Sequence, residues 1–166
     1  QTVRSGPYRI GLSLALTSRM WFFPIMEQDD ATEPTLYLIP TPIGNLEDIS
    51  YRTVRILQEV DALACEDTRH TRKIFERYEL QSPSIIFPCH AHNEDRAVGR
   101  ILSLLRDGMS VGLTSDAGAP GISDPGQRAA AAAIEAGYHV EALPGPSAVI
   151  TALMVSGLPI PAFTFL

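Results

Sequence analysis

The chain has 166 residues, 45% hydrophobic and 19% charged, a length and composition for one globular domain of average size; two separate cores would be thin. Its formal charge is −6, and all 19 acids but only 10 of the 13 lysines and arginines lie after Ile25, so the part from Met26 onward carries −9 and overall charge supports no grip on nucleic acid. The two cysteines, Cys65 and Cys89, argue against a disulfide framework and fit a reduced, cytoplasmic protein, and no apolar run of about 18 residues is present to span a membrane.

The first 25 residues differ from the rest. They hold Arg4, Arg9 and Arg19 with no acid, several serines and threonines, and the short apolar core "IGLSLAL". This composition is that of a transit or signal segment, but no small-residue cleavage site stands out. The plainer expectation is that Met26 is the true start and that residues 1–34 form a flexible N-terminal extension.

From Leu36 onward, short apolar runs alternate with segments of helical period. The runs are Leu36 to Ile39, Ala62 to Cys65, Ser84 to Phe87, Ser110 to Thr114 and His139 to Leu143, each bounded by Gly, Pro, Asp or Asn as buried strands are. Ser50 is placed to cap a helix carrying Val54, Leu57 and Val60, and Asn93 to cap one carrying Val98, Ile101, Leu102 and Leu105 that stops at Gly108. Pro125 suits the first turn of an alanine-rich helix ended by Gly137, and Ser147 opens a last helix that stops at Gly157. The alternation predicts an α/β fold: a mostly parallel five-stranded sheet with helices on both faces, over residues 35–161.

Such sheets bind ligands where the strand-to-helix loops gather, at the carboxyl ends of the strands. The unusual loops all fall there. After the fourth strand, "TSDAGAPGISDPG" is long, stiff and free of Lys and Arg; it matches neither a Walker A loop nor a dinucleotide fingerprint, so it offers backbone and Asp116 to a small polar ligand. "PTPIGNLED" after the first strand and "LPGPSA" after the fifth read equally well as tight turns or as binding loops.

"CEDTRHTRKIFER" is charged where the others are neutral. Glu66 and Asp67 stand beside Arg69, His70, Arg72 and Lys73, which suits a phosphodiester held by arginines while a carboxylate acts on a hydroxyl; the plainer alternative is a capped helix with an outward basic face. "CHAHNE" puts His90, His92 and Glu94 at alternate positions, too few ligands for a metal site by themselves, so no metal is expected; His92 and Asn93 fit lining or capping roles better.

In this order and spacing, "PTPIGNLEDIS", "EDTRHTR", "HNE", "TSDAGAPGISDPG" and "LPGPSA" resemble the family called ribosomal RNA small subunit methyltransferase I, from about Leu36 to the end. The resemblance implies a tetrapyrrole-methylase-like, class III methyltransferase fold that uses S-adenosyl-L-methionine to methylate the ribose 2'-oxygen of a cytidine in small-subunit ribosomal RNA of the 30S subunit. It implies cofactor contacts from Thr114, Ser115, Asp116, Ala117, Gly118, Pro120, Gly121, Ile122 and Ser123, and from Pro144, Gly145, Pro146 and Ser147. Glu66, Asp67 or Glu94 would be the base and Arg69 the phosphate or alkoxide partner, with Pro42, Gly44, Asn45, Arg72, His92 and Asn93 toward the substrate. A homodimer of the full-length protein is expected, as is a start of the crossover into a second domain at residues 162–166, which makes this chain the amino-terminal half. The alternatives are a tetrapyrrole methylase of the same fold, which calls for an apolar macrocycle pocket in place of the charged second loop, a metal-dependent hydrolase built on His90 and His92, and a non-catalytic dimerising module.

Overall fold

The computed structural model describes residues 33–164. The expected extension at 1–34, apart from its last two residues, lies outside the described residues, as does the end of the expected crossover. Five strands alternate with helices: β1 (Thr35–Ile39), α1 (Tyr51–Glu59), β2 (Ala62–Cys65), α2 (Thr68–Arg77), β3 (Ile85–Pro88), α3 (Glu94–Arg106), β4 (Val111–Thr114), α4 (Gln127–Glu135), β5 (His139–Ala142) and α5 (Ala148–Val155). All four strand pairings are parallel, in the order β3-β2-β4-β1-β5.

The strand alternation assigns the helices to faces. Leu36, Ala62, Ala64, Phe87, Val111 and Leu113 pack against Ala97, Ile101, Leu104 and Leu105 of α3 and Ala129 and Ala133 of α4. Their neighbours along each strand, Ile39 and Leu63, turn the other way, against Ile56 and Leu57 of α1 and Ile74 and Phe75 of α2. Gly112 in central β4 belongs to this second face: a Cβ there would lie 2.9 Å from both Ile39 Cδ1 and Leu63 Cδ1, so the missing side chain lets the two flanking strands close over it. Fully burying leucines such as Leu57 and Leu63 contributes roughly 2 kcal/mol each.

Helix ends follow their caps. Ser50 accepts from the Thr53 N–H, Asp67 from the Arg69 N–H and Ser147 from the Ile150 N–H, while Gly108, Gly137 and Gly157 adopt the positive φ that closes α3, α4 and α5. Three expectations are corrected. Pro125 is not in α4: its carbonyl accepts from the Gly121 N–H, and Gly126 at φ 134° stands between it and the helix start at Gln127. Asn93 occupies the cap position of α3 without capping it; its side chain instead accepts from the His90 N–H and donates to the Pro88 carbonyl. Val60, expected on α1, is the residue that closes it.

Candidate functional site

Pro88, Cys65, Thr114 and Ile39 form the last register row across β3, β2, β4 and β1, and the chain leaves each strand there as a loop. The loop from β4 runs to α4 on one face, whereas those from its neighbours β1 and β2 run to α1 and α2 on the other. Adjacent loops that part in this way open a crevice at the carboxyl edge of the sheet.

Hydrogen bonds fix the crevice walls. Thr41, just past β1, exchanges both backbone bonds with Gly118 at 2.9 Å, and its hydroxyl donates to the Ser115 carbonyl at 3.0 Å. The Ser115 hydroxyl in turn donates to the Gly118 carbonyl at 3.0 Å. Gly118 sits at φ 86°, and a Cβ on it would meet only Ile43 Cγ2 at 3.6 Å and the Pro146 carbonyl at 4.0 Å, so it faces the meeting point of the β1, β4 and β5 loops. Gly145 presses on Pro40, where a Cβ would come within 2.7 Å. Pro42, Thr114, Ser115, Gly118 and Pro120 are buried; Gly44, Asn45, Ala117, Ile122, Ser123, Pro144 and Gly145 are exposed, and Asp116, Gly121, Pro146 and Ser147 lie between. The Thr114 hydroxyl is buried without a hydrogen-bond partner among the described residues.

The β2 loop is tied to the β4 loop by side chains. A Glu66 Oε2 accepts from the Asp116 N–H at 3.1 Å, and Asp116 Oδ1 accepts from the Asp67 N–H at 3.0 Å. His70 Nδ1 lies 3.4 Å from Asp116 Oδ2. Asp67 is occupied otherwise: the Arg69 side chain and its backbone N–H both donate to the carboxylate, which holds it at about 2, well below the usual carboxylate range. Arg69 itself is largely exposed, and Arg72 stands on the open surface of α2. Burial, with Asp116 adding to it, raises Asp124 in the tip of the β4 loop.

The β3 loop contributes differently. Glu94 accepts from the Gly126 N–H at 3.3 Å and lies 3.9 Å from Arg128, and Asp95 also pairs with Arg128, so Glu94 joins α3 to the start of α4. His90 and His92 meet edge to face at 6.0 Å, and His92 is exposed. Among the described residues no three His, Cys, Asp or Glu side chains gather as metal ligands would. Burial, then Glu94, pushes Cys89 up to about 11, and burial raises Cys65, so both thiols stay protonated near neutral pH and serve the core.

The family model for tetrapyrrole (corrin/porphyrin) methylases matches residues 35–164, the whole alternating unit with its five carboxyl-edge loops. The chain belongs to this family. It is 47% identical over 133 residues to the ribosomal RNA small subunit methyltransferase I of Micromonospora olivasterospora, covering 80% of this chain and 42% of that one. Against the protein of the same name from Xylella fastidiosa it is 49% identical over 135 residues, covering 81% and 49%. The chain thus spans less than half the length of these relatives. Among solved structures, a uroporphyrin-III C-methyltransferase from Thermus thermophilus superposes with a TM-score of 0.57 at 22% identity, over 77% of this chain and 54% of that one, a likeness of fold.

Within the family fold, hydrogen bonds tie the β1 loop to the β4 loop through Thr41 and Gly118 and the β2 loop to the β4 loop through Glu66 and Asp116, while Glu94 and Asn93 hold their own loops. Thr41 and Pro40 were not among the expected site residues. The signal lay in "IPTPIG": a single hydroxyl between two prolines, directly after a buried strand, has few conformations and few partners.

Proposed function

We propose that this chain supplies the amino-terminal wall of an S-adenosylmethionine site in an enzyme that methylates a ribose 2'-oxygen of a cytidine in small-subunit ribosomal RNA. The observation that carries the reading is the union at one crevice of a neutral, glycine-rich β4 loop with an acid-and-arginine β2 loop, joined through Glu66 and Asp116. A macrocycle-binding relative would call for an apolar lining where Glu66, Asp67, Arg69 and His70 stand.

The residues fit the cofactor. Among the described residues Thr114 has a buried hydroxyl with no partner at the carboxyl end of β4, and Gly118, at φ 86°, sits on a backbone fixed by Thr41. Thr114, Ser115 and Asp116 would hold polar groups of the ligand, Ala117 to Ser123 would cover it, and Pro144 to Ser147 would close the side toward β5. When bound, S-adenosylmethionine supplies a methyl group on a sulfonium, already activated for transfer.

What remains for the chain is to orient a hydroxyl and remove its proton. Of the three carboxylates considered, Asp67 at about 2 is a weak base and caps α2, and Glu94 is committed to Gly126. Glu66, half-buried with one oxygen on the Asp116 N–H, is therefore assigned the base. Arg69 would turn from Asp67 to a phosphate or the developing alkoxide, and Pro42, Gly44, Asn45, Arg72, His92 and Asn93 lie toward the substrate side.

The acting protein is cytoplasmic and dimeric in this reading. Transfer of labelled methyl from S-adenosylmethionine to 30S subunits, located at a ribose by nuclease-resistant dinucleotides, tests it; label on bases, or none, refutes it. A polypeptide of residues 1–166 presents only this wall, so calorimetry with it should show affinity weaker than micromolar, because buried contact supplies most small-ligand affinity.

A further inference from the structure

The charge on α2 exceeds what the crevice uses. Thr68–Arg77 carries Arg69, Arg72, Lys73 and Arg77 against the single acid Glu76, in a chain whose overall charge is −6. Arg69, Lys73 and Arg77 recur at four-residue spacing, one row along a helix of about 15 Å. Like charges at this spacing repel, and among the described residues Arg72, Lys73 and Arg77 have no carboxylate partner. Of the row, only Arg69 has a carboxylate partner among the described residues, Asp67.

On the Arg72 side of α2, between the helix and the edge strand β3, lies a cleft of about 310 Å³ lined by Thr68, Thr71, Arg72, Phe75, Ser82 and Ile86. Its lining begins at Thr68, two residues beyond Glu66 in the chain. At the far end the Arg77 guanidinium rests over the Tyr78 ring at 5.7 Å, and the Tyr78 hydroxyl donates to the Leu46 carbonyl, which keeps that aromatic fixed.

We propose that the α2 row and its cleft form the docking track for single-stranded RNA flanking the methylated nucleotide. Phosphates lie along Lys73 and Arg77, and a neighbouring nucleotide enters the cleft under Arg72, with Thr68 and Ser82 as polar partners. This rests on the RNA reading above and extends it. A track on one helix gives positive potential where the strand passes without requiring a basic protein, which reconciles an acidic chain with a polyanionic partner.

The test is anisotropy binding of a labelled single-stranded RNA of about 12 nucleotides to the protein across a salt series. The triple change Arg72→Gln, Lys73→Gln, Arg77→Gln should lower the slope of log affinity against log salt by about 2, at roughly 0.7 per lost phosphate contact, and weaken low-salt binding by about tenfold or more. Removing three charges from α3 instead, with Arg96→Gln, Arg100→Gln and Arg106→Gln, should change neither. Arginine-to-lysine changes at Arg72 and Arg77 should retain the slope. Equal losses from both helices, an unchanged slope, or a matching loss of uroporphyrin binding in the α2 variant would overturn the track. Methyl transfer that persists in the α2 variant at unchanged KM would remove the track and leave the function; α2-dependent RNA binding without methyl transfer would do the reverse.

Discussion

The β4 and β2 loops lie side by side on the same sheet edge and are built by opposite means. The β4 loop has no Lys or Arg and takes its shape from backbone: three glycines at positive φ, Ser123 at φ 59°, and carbonyls that accept from Thr41, Ser115 and Gly121. The β2 loop is short, passes straight into α2 and takes its shape from charge, through Asp67 with Arg69 and Glu66 with the Asp116 N–H. A wall that receives a ligand by shape must keep its form without one, whereas a wall that does acid–base work needs groups whose charge can change.

Glu66→Gln separates the two walls most sharply. The amide oxygen can still accept from the Asp116 N–H, so the melting temperature should hold, while methyl transfer falls about 10²- to 10⁴-fold if Glu66 is the base. Gly126→Ala strikes the backbone-built wall: at φ 134°, with its Cβ 2.9 Å from Leu113 Cδ2 and 3.2 Å from the Gly121 N, the change should cost about 2 to 3 kcal/mol in urea unfolding.

A gentler probe is Asp67→Asn, which can still accept from the Arg69 N–H. The native carboxyl lies at about 2 against 3.8 for its ordinary value, so its ionic contribution is complete above about pH 4 and is lost as pH falls toward 2. Unfolding measured across that window should show wild type losing its advantage over the variant; a constant difference would mean the pair with Arg69 is not formed. Smallest of all, Arg69→Gln should leave unfolding within error, since the guanidinium is largely exposed, and any effect should appear in RNA methylation.

The sequence made local features legible. Strand limits fell within a residue because each apolar run ends at a residue that cannot continue a ladder, and Ser50, Asp67, Gly108 and Gly137 mark helix ends through contacts only a few residues away. The corrections come from residues whose partners are distant or competing. Asn93 had nearer donors in the β3 loop than in α3, and Pro125 was drawn into a turn with Gly121. Glu94 looked like a candidate base on the strength of "HNE", yet its partner Gly126 lies 32 residues away. The Glu66–Asp116 tie spans 50 residues and depends on β2 and β4 being neighbours, a fact set by α1 carrying the chain from β1 past one strand position to β2 and α3 returning it from β3 into that gap, and visible in no single stretch of sequence.

In the proposed reaction the two walls together direct methyl transfer to a ribose, with Glu66 as base. Mass mapping of small-subunit ribosomal RNA from cells lacking the gene, complemented with the full-length protein or with its Glu66→Gln form, tests it directly. One cytidine ribose methyl should be restored by the wild type and not by the variant; restoration by both would remove Glu66 from the chemistry, and restoration by neither would contradict the assignment to ribosomal RNA.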